Sequence, residues 1–219
     1  MKEVWSILRY ELQKDFKQSY SFLGIILYLI SSIFVCYWSF QAGLTAVTWN
    51  AIFWILSVFL SIQTVQKVWH EDRKEKIYLY LLVQPLHLFI GKLLYSLVLN
   101  NILVAINFLL CWSLLGEDIM QQAHIWAFLS VLALGISGMT IAFNFVASIG
   151  AQQASASSFS AILGLPIVLP LLSATVQSAK LAIQGFDWLV INPSIINMLA
   201  LSSLSLGLSL VLFPYIWQE

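Results

Sequence analysis

The chain has 219 residues, 60% of them apolar, and ten basic and ten acidic side chains that cancel to a net charge of zero. Only 9% of its residues are charged, against roughly 25% in a soluble domain. Too few charges exist to cover a water-exposed fold of this size, so the composition requires a bilayer; it leaves no basic, aromatic-laced surface for nucleic acid.

Fifteen of the twenty charged residues lie in two stretches, Lys2–Lys17 and Lys67–Lys92. The first reads as an amphipathic helix. Trp5, Leu8, Leu12 and Phe16 recur at spacings of three and four, and charges occupy the remaining faces. That pattern fits a helix lying in the membrane interface with its apolar face in the lipid. A lipid anchor and a partner-contacting helix both satisfy it. No basic tip leads into a short apolar core, so no cleaved signal peptide is expected and the first span acts as an uncleaved insertion signal.

Six apolar stretches follow, near Phe22–Phe40, Ala46–Gln66, Leu88–Leu115, Ile125–Ile149, Ser158–Gln177 and Ile195–Ile216. Each approaches the ~20 helical residues that cross a hydrocarbon core of about 30 Å. Runs such as Ile25–Ile30 lack the alternation a membrane barrel strand needs, so the expected class is all-α. The expectation is a single polytopic domain over residues 1–219, with six transmembrane helices and an N-terminal interface helix.

Between the second and third spans, seven residues His70–Lys76 include six charges, and Ile77–Val83 is apolar and aromatic. Pro85 marks a break before the third span. The segment is expected to form a short cytoplasmic helix with one charged and one apolar face; a plain solvated loop is the alternative. Its mixed signs, Glu71, Asp72, Arg73, Lys74, Glu75 and Lys76, fit a protein partner better than an anionic lipid, which would select mostly Lys and Arg.

No charged residue falls near the middle of a span. Intramembrane charges usually mark ion and proton paths, so an ion-coupled transporter is disfavoured and energy must enter from elsewhere. Gln63, Gln66, Asn100, Asn101, Asn107 and Asn144 are read as interhelical hydrogen-bonding residues. Small residues at Gly135–Gly138, Ala147–Ser158 and Ser202–Ser209 suit close helix packing. Pro166 and Pro170, one turn apart in the fifth span, predict a kink or partial unwinding, either a static bend or a hinge beside a substrate path.

With six spans, both termini share a side with the loops near 67–87 and 150–157. Nine of the ten basic residues then lie on that side, with Lys180 the exception. Retention of Lys and Arg in cytoplasmic loops makes that side the cytoplasm.

Catalytic readings fail on spacing. Gly135-Ile136-Ser137-Gly138 has the GxSG form of an intramembrane serine protease. A serine nucleophile needs a base within hydrogen-bond reach, and His124 stands roughly 20 Å away along the same helix. No HExxH and no Walker A sequence is present, so the chain reads as non-catalytic and hydrolyses no ATP itself. Cys36 and Cys111 sit in apolar helices, which fits neither a disulfide framework nor a zinc site. His124, beside Trp126 at the edge of the fourth span, is either a polar anchor or a haem contact.

The assembled pattern resembles the membrane subunits of ABC-2-type exporters. More narrowly, it is similar to the CcmB family, the permeases of the haem exporter in bacterial cytochrome c maturation. The likeness runs over the whole chain. Its local carriers are EDRKEKIYLYLLVQP (Glu71–Pro85) with Gly91-Lys92, and LGLPIVLPLL (Leu163–Leu172). The loop departs from the family's commonest form, which has Gly and Glu where this chain has Lys76 and more aromatics. The resemblance implies a permease in the bacterial inner membrane, paired as two copies with two copies of a CcmA-like ATPase. CcmC-like and CcmD-like membrane proteins complete the complex, which acts on a CcmE-like haem chaperone. It implies that Glu71 to Tyr80, including Tyr78, form the coupling helix, with Trp5 to Phe16 as the interface helix beside it. It implies no intrinsic cofactor or metal, haem as a possible substrate, and ATP bound by the partner. Another substrate (lipid, polysaccharide or drug) and a non-transporting scaffold are the alternatives.

Overall fold

A computed structural model describes residues 2–17, 19–40, 44–70, 84–150 and 157–218. Within them lie eight helices and no strand: α1 (Lys2–Lys17), α2 (Ser19–Ser39), α3 (Ala46–His70), α4 (Pro85–Leu115), α5 (Glu117–Met120), α6 (Ile125–Gly150), α7 (Ser157–Ile183) and α8 (Trp188–Gln218). The all-helical expectation is met.

Local chemistry sets several helix ends. Thr45 caps α3, its Oγ1 accepting from the Thr48 N–H at 3.2 Å. Pro85 opens α4 after Gln84 in an extended conformation, a position where a missing N–H costs nothing. Gly185, with φ +77°, closes α7. Its N–H donates to Ala182 O at 3.2 Å and that of Phe186 to Leu181 O at 3.1 Å, the paired bonds of a glycine-terminated helix.

Four helices carry stretches long and apolar enough to cross a membrane: Ala46–Trp69, Pro85–Leu115, Ile125–Ile149 and Trp188–Pro214. This marks a helical membrane protein. It differs from the six expected stretches. In α2 and α7 the described apolar runs, Leu23–Ser39 and Val168–Ile183, are shorter. The last helix also starts earlier than expected, at Trp188, taking Pro193 into its body.

Helix α6 is the centre of the bundle and touches α3, α4, α7 and α8. Over half of its apolar window is buried, against 17% for α8. Two of its glycines explain the close approach. A Cβ on Gly135 would collide with Thr175 of α7, and one on Gly138 with Ser202 of α8 and Leu171 of α7. The GxSG segment is thus a packing surface, as read from the sequence.

Two apolar clusters divide the bundle along its length. The larger contains Trp49 stacked on Phe53 at 5.4 Å, with Phe108 and Phe128 against them. The smaller joins Ile7, Trp69, Phe89 and Phe213, with Phe89 and Phe213 rings 4.8 Å apart. The second cluster marks the end of the bundle that carries α1; the short α5 marks the other.

Helix α1 packs against α4 through residues the periodicity did not select. Ile7 and Glu11 are buried, Leu8 is half-buried, and Trp5 and Leu12 are exposed at 68% and 39%. The side chain of Phe16 lies outside the described residues. The stripe of Trp5 and Leu12 thus faces outward, and a second stripe seats the helix. Gly91 makes the seat possible, since a Cβ there would stand 2.8 Å from Ile7 Cγ2. Gly91→Ala should push α1 off α4 at a cost of about 1–3 kcal/mol. Protease cleavage within residues 2–17 should then be faster in detergent, and adding Ile7→Ala should restore the original rate. Unchanged cleavage of Gly91→Ala would mean that another contact seats α1.

Candidate functional site

Inside the bundle a polar seam joins α3, α4 and α6. Helix α4 supplies Lys92, Ser96, Asn100, Asn107 and Cys111 at helical spacing on one face. Helix α3 supplies Ser57, Ser61 and Thr64, and α6 supplies Thr140, Asn144 and Ser148. All are buried. The stretch Lys92–Cys111 covers about 28 Å at 1.5 Å per residue, close to the hydrocarbon thickness.

The bonding follows one rule. Each hydroxyl of Ser57, Ser61, Thr64 and Thr140 donates to the carbonyl four residues back, at 2.7–2.8 Å. Its oxygen is then available to accept from another helix. Asn100 Nδ2 donates to Ser61 Oγ at 2.9 Å and Thr140 Oγ1 at 2.7 Å, tying α4 to α3 and α6. Asn107 Nδ2 donates to Ser57 Oγ at 3.0 Å. Asn144 Oδ1 accepts from Trp69 Nε1 at 2.9 Å and Ser96 Oγ at 3.2 Å, while its Nδ2 donates to Thr140 O at 2.8 Å. Near the α5 end, Cys111 Sγ donates to Asn107 Oδ1 at 3.5 Å, and Trp49 Nε1 donates to Cys111 O at 3.2 Å. Interhelical bonding therefore holds for Asn100, Asn101, Asn107 and Asn144. Asn101 bonds within α4 to Leu97 O and reaches Ser137 Oγ at 3.4 Å. Gln63 is half-buried and Gln66 exposed, away from the seam.

At the α1 end the seam finishes in a charge. Lys92 is 2% exposed, and its Nζ donates to Val68 O at 3.1 Å and stands 4.8 Å from the Trp69 ring centroid. A buried ammonium needs such partners, a carbonyl and an aromatic face, to be tolerated in an apolar setting. The contact ties the last turn of α3 to the first turns of α4. Next to it, His87 Nδ1 and Glu3 Oε2 meet at 2.8 Å, linking α4 to α1. The two ends flanking residues 71–83 are thus cross-tied, and α1 is fastened to the same place.

Several expected site residues fall elsewhere. Glu71, Asp72, Arg73, Lys74, Glu75, Lys76, Tyr78 and Tyr80 lie outside the described residues. Helix α7 stays helical through Pro166 and Pro170, both exposed, so of the expected kink or partial unwinding the unwinding is not found. His124 and Trp126 meet different surroundings. The His124 N–H donates to Ala182 O at 2.8 Å and its ring meets Trp188 edge-on at 5.9 Å, while Trp126 is 72% exposed. Both cysteines are free thiols. No group of three or more metal-ligating side chains occurs among the described residues.

Lys92, Trp69 and the seam hydroxyls were not singled out from the sequence as a site. Their signal was present in the i, i+4 recurrence of small polar residues: Ser57 with Ser61, Lys92 with Ser96 and Asn100, and Thr140 with Asn144 and Ser148. Asn144→Leu should strand the Trp69 N–H and the Ser96 hydroxyl. Stability in SDS-mixed micelles should fall by about 1–3 kcal/mol, while Gln63→Leu, off the seam, should change little. Equal effects of the two would refute the seam as the tie between helices. Compared with known proteins, the chain matches no protein-family model and no curated relative.

Proposed function

We propose that the chain is the membrane subunit of an ABC-2-type exporter, of the kind that handles haem in c-type cytochrome maturation. In this reading six helices cross the bacterial inner membrane, α2 and α7 included, and both termini are cytoplasmic. Two copies work with two copies of a CcmA-like ATPase, alongside CcmC-like and CcmD-like proteins and, indirectly, a CcmE-like chaperone.

The observation that carries the reading is the cross-tied end of the bundle. Residues 71–83 connect α3 to α4, and the helix ends on both sides of them are bound together through Lys92, Val68 and Trp69. A partner that moved this connection would move α3, α4 and the attached α1 as one body. An ATPase can shift a membrane equilibrium only through contacts that differ between its two states. The charges Glu71, Asp72 and Arg73 are the groups assigned to those contacts. The absence of charge from the middle of the apolar stretches supports the same division of labour, with energy arriving from a cytoplasmic partner.

Reversing charge at Glu71, Asp72 and Arg73 together should abolish copurification of the ATPase. Binding at the original affinity, with original ATPase stimulation, would remove the coupling role. Deletion of the chain should eliminate mature c-type cytochromes; intact cytochromes would redirect the reading to another exported substrate. A phosphatase that folds only outside the cytoplasm should stay inactive when fused after Glu219, and an active fusion would invert the topology.

A further inference from the structure

The seating of α1 on α4 sorts the charges of α1. Glu11 is buried, and Glu3 meets His87 Nδ1 of α4 at 2.8 Å. Both carboxylates described on this helix are thus committed to the bundle. Lys14 is half-buried. Arg9 differs from all of them: it is exposed and has no hydrogen bond or ion pair among the described residues. At 3.6 residues per turn, Trp5, Arg9 and Leu12 fall within about 60° of one another around the helix axis. All three are exposed, whereas Ile7 and Glu11 occupy the buried side. The outward face of α1 therefore presents an indole, a leucine side chain and one guanidinium, with no described carboxylate among them.

Both ends of α1 are placed at the level of the lipid headgroups. Its start is held by Glu3 on His87 and by Ile7 on Gly91. These α4 residues immediately precede Lys92, where the stretch that matches the hydrocarbon thickness begins. Its end at Lys17 and the start of the α2 apolar run at Leu23 are separated by roughly 9 Å of helix. The headgroup layer is about 5–8 Å deep on each side of the hydrocarbon. Tryptophan is favoured at that level because its ring is amphipathic. Arginine carries forked donors that match a phosphate at two oxygens. Tryptophan and arginine also anchor protein interfaces. The withdrawal of Glu3 and Glu11 decides between the two, since a face with one free cation and no anion complements a negative lipid surface.

We propose that the face of α1 formed by Trp5, Arg9 and Leu12 docks on anionic phospholipid. The Arg9 guanidinium binds the headgroup phosphate, and the side chains of Trp5 and Leu12 lie at the glycerol boundary below it. This selects the lipid over the protein partner that the helix pattern left open. The contact requires a membrane bundle but no ATPase, so it stands or falls without the exporter reading.

Fluorine-labelled tryptophan in the full chain, held in lipid nanodiscs, reads the contact. The Trp5 resonance is identified by its loss in Trp5→Phe. The probes are phosphatidylglycerol and phosphatidylcholine, each spin-labelled on the acyl chain near the glycerol. At equal amounts, the labelled phosphatidylglycerol should broaden the Trp5 resonance about fivefold more than the labelled phosphatidylcholine. Arg9→Gln should make the two equal while the remaining tryptophan resonances keep their positions, and Arg9→Lys should retain part of the preference. Equal broadening by both lipids in the unaltered chain overturns the headgroup contact. A preference that survives Arg9→Gln overturns the role of Arg9. A Trp5 resonance broadened by a water-soluble paramagnetic agent and by neither lipid also overturns the proposal, by leaving this face open to a soluble partner.

Discussion

A hydroxyl group in hydrocarbon has one proton and no water to receive it. In this bundle the buried hydroxyls of Ser57, Ser61, Thr64, Thr140 and Thr175 give theirs to a carbonyl of their own helix. The rest of the interior depends on that local choice. It leaves oxygen lone pairs facing neighbouring helices, where only a side chain with spare protons can bind them. Asparagine amides are such donors, and Asn100 and Asn107 use theirs in this way. Because lipid tails are as apolar as leucine, burial alone does not choose which helices pair. The positions of a few amides among many hydroxyls do.

Close packing and hydrogen bonding then divide the work around α6. On the faces towards α7 and α8, Gly135 and Gly138 let the helices approach until a single added carbon would collide. On the face towards α3 and α4, Thr140 and Asn144 replace that contact with directional bonds. Interlocked packing resists separation, and the directional bonds in addition fix the register of the helices. The α3–α4–α6 group is accordingly the hydrogen-bonded part of the bundle, and α1 is attached to it at Gly91 and Glu3.

Helix existence was legible from hydropathy, because the backbone has no alternative to a helix in lipid. The ends of α3, α4 and α6 fell within a few residues of the reading for the same reason. Span lengths were less legible. The start of the last helix is one case: Pro193 is absorbed into α8 instead of preceding it. The asparagines of the seam were recognised because an amide in an apolar run is conspicuous. Their partners were not, since serine and threonine are common in membrane helices and only the fold shows which of them face each other. Helix α1 shows the same limit. Its periodicity revealed an apolar face in Trp5 and Leu12, but the face that docks is built on Ile7 and the buried Glu11. An acidic residue becomes part of a contact surface only when a specific neighbour makes it so, and spacing carries no record of that neighbour.

The carbonyl of Ala182 has a mechanical consequence. It accepts the N–H of Gly185, which ends α7, and that of His124, which precedes α6. Two consecutive hairpins are thereby pinned at one oxygen atom, at the end of the bundle opposite α1. With 26 residues in α6, a tilt of about 5° around that atom displaces the far end of the helix by roughly 3 Å over a lever of about 39 Å. Any tilt of α7 against α6 therefore has its pivot beside Gly185, at the end of the bundle opposite α1.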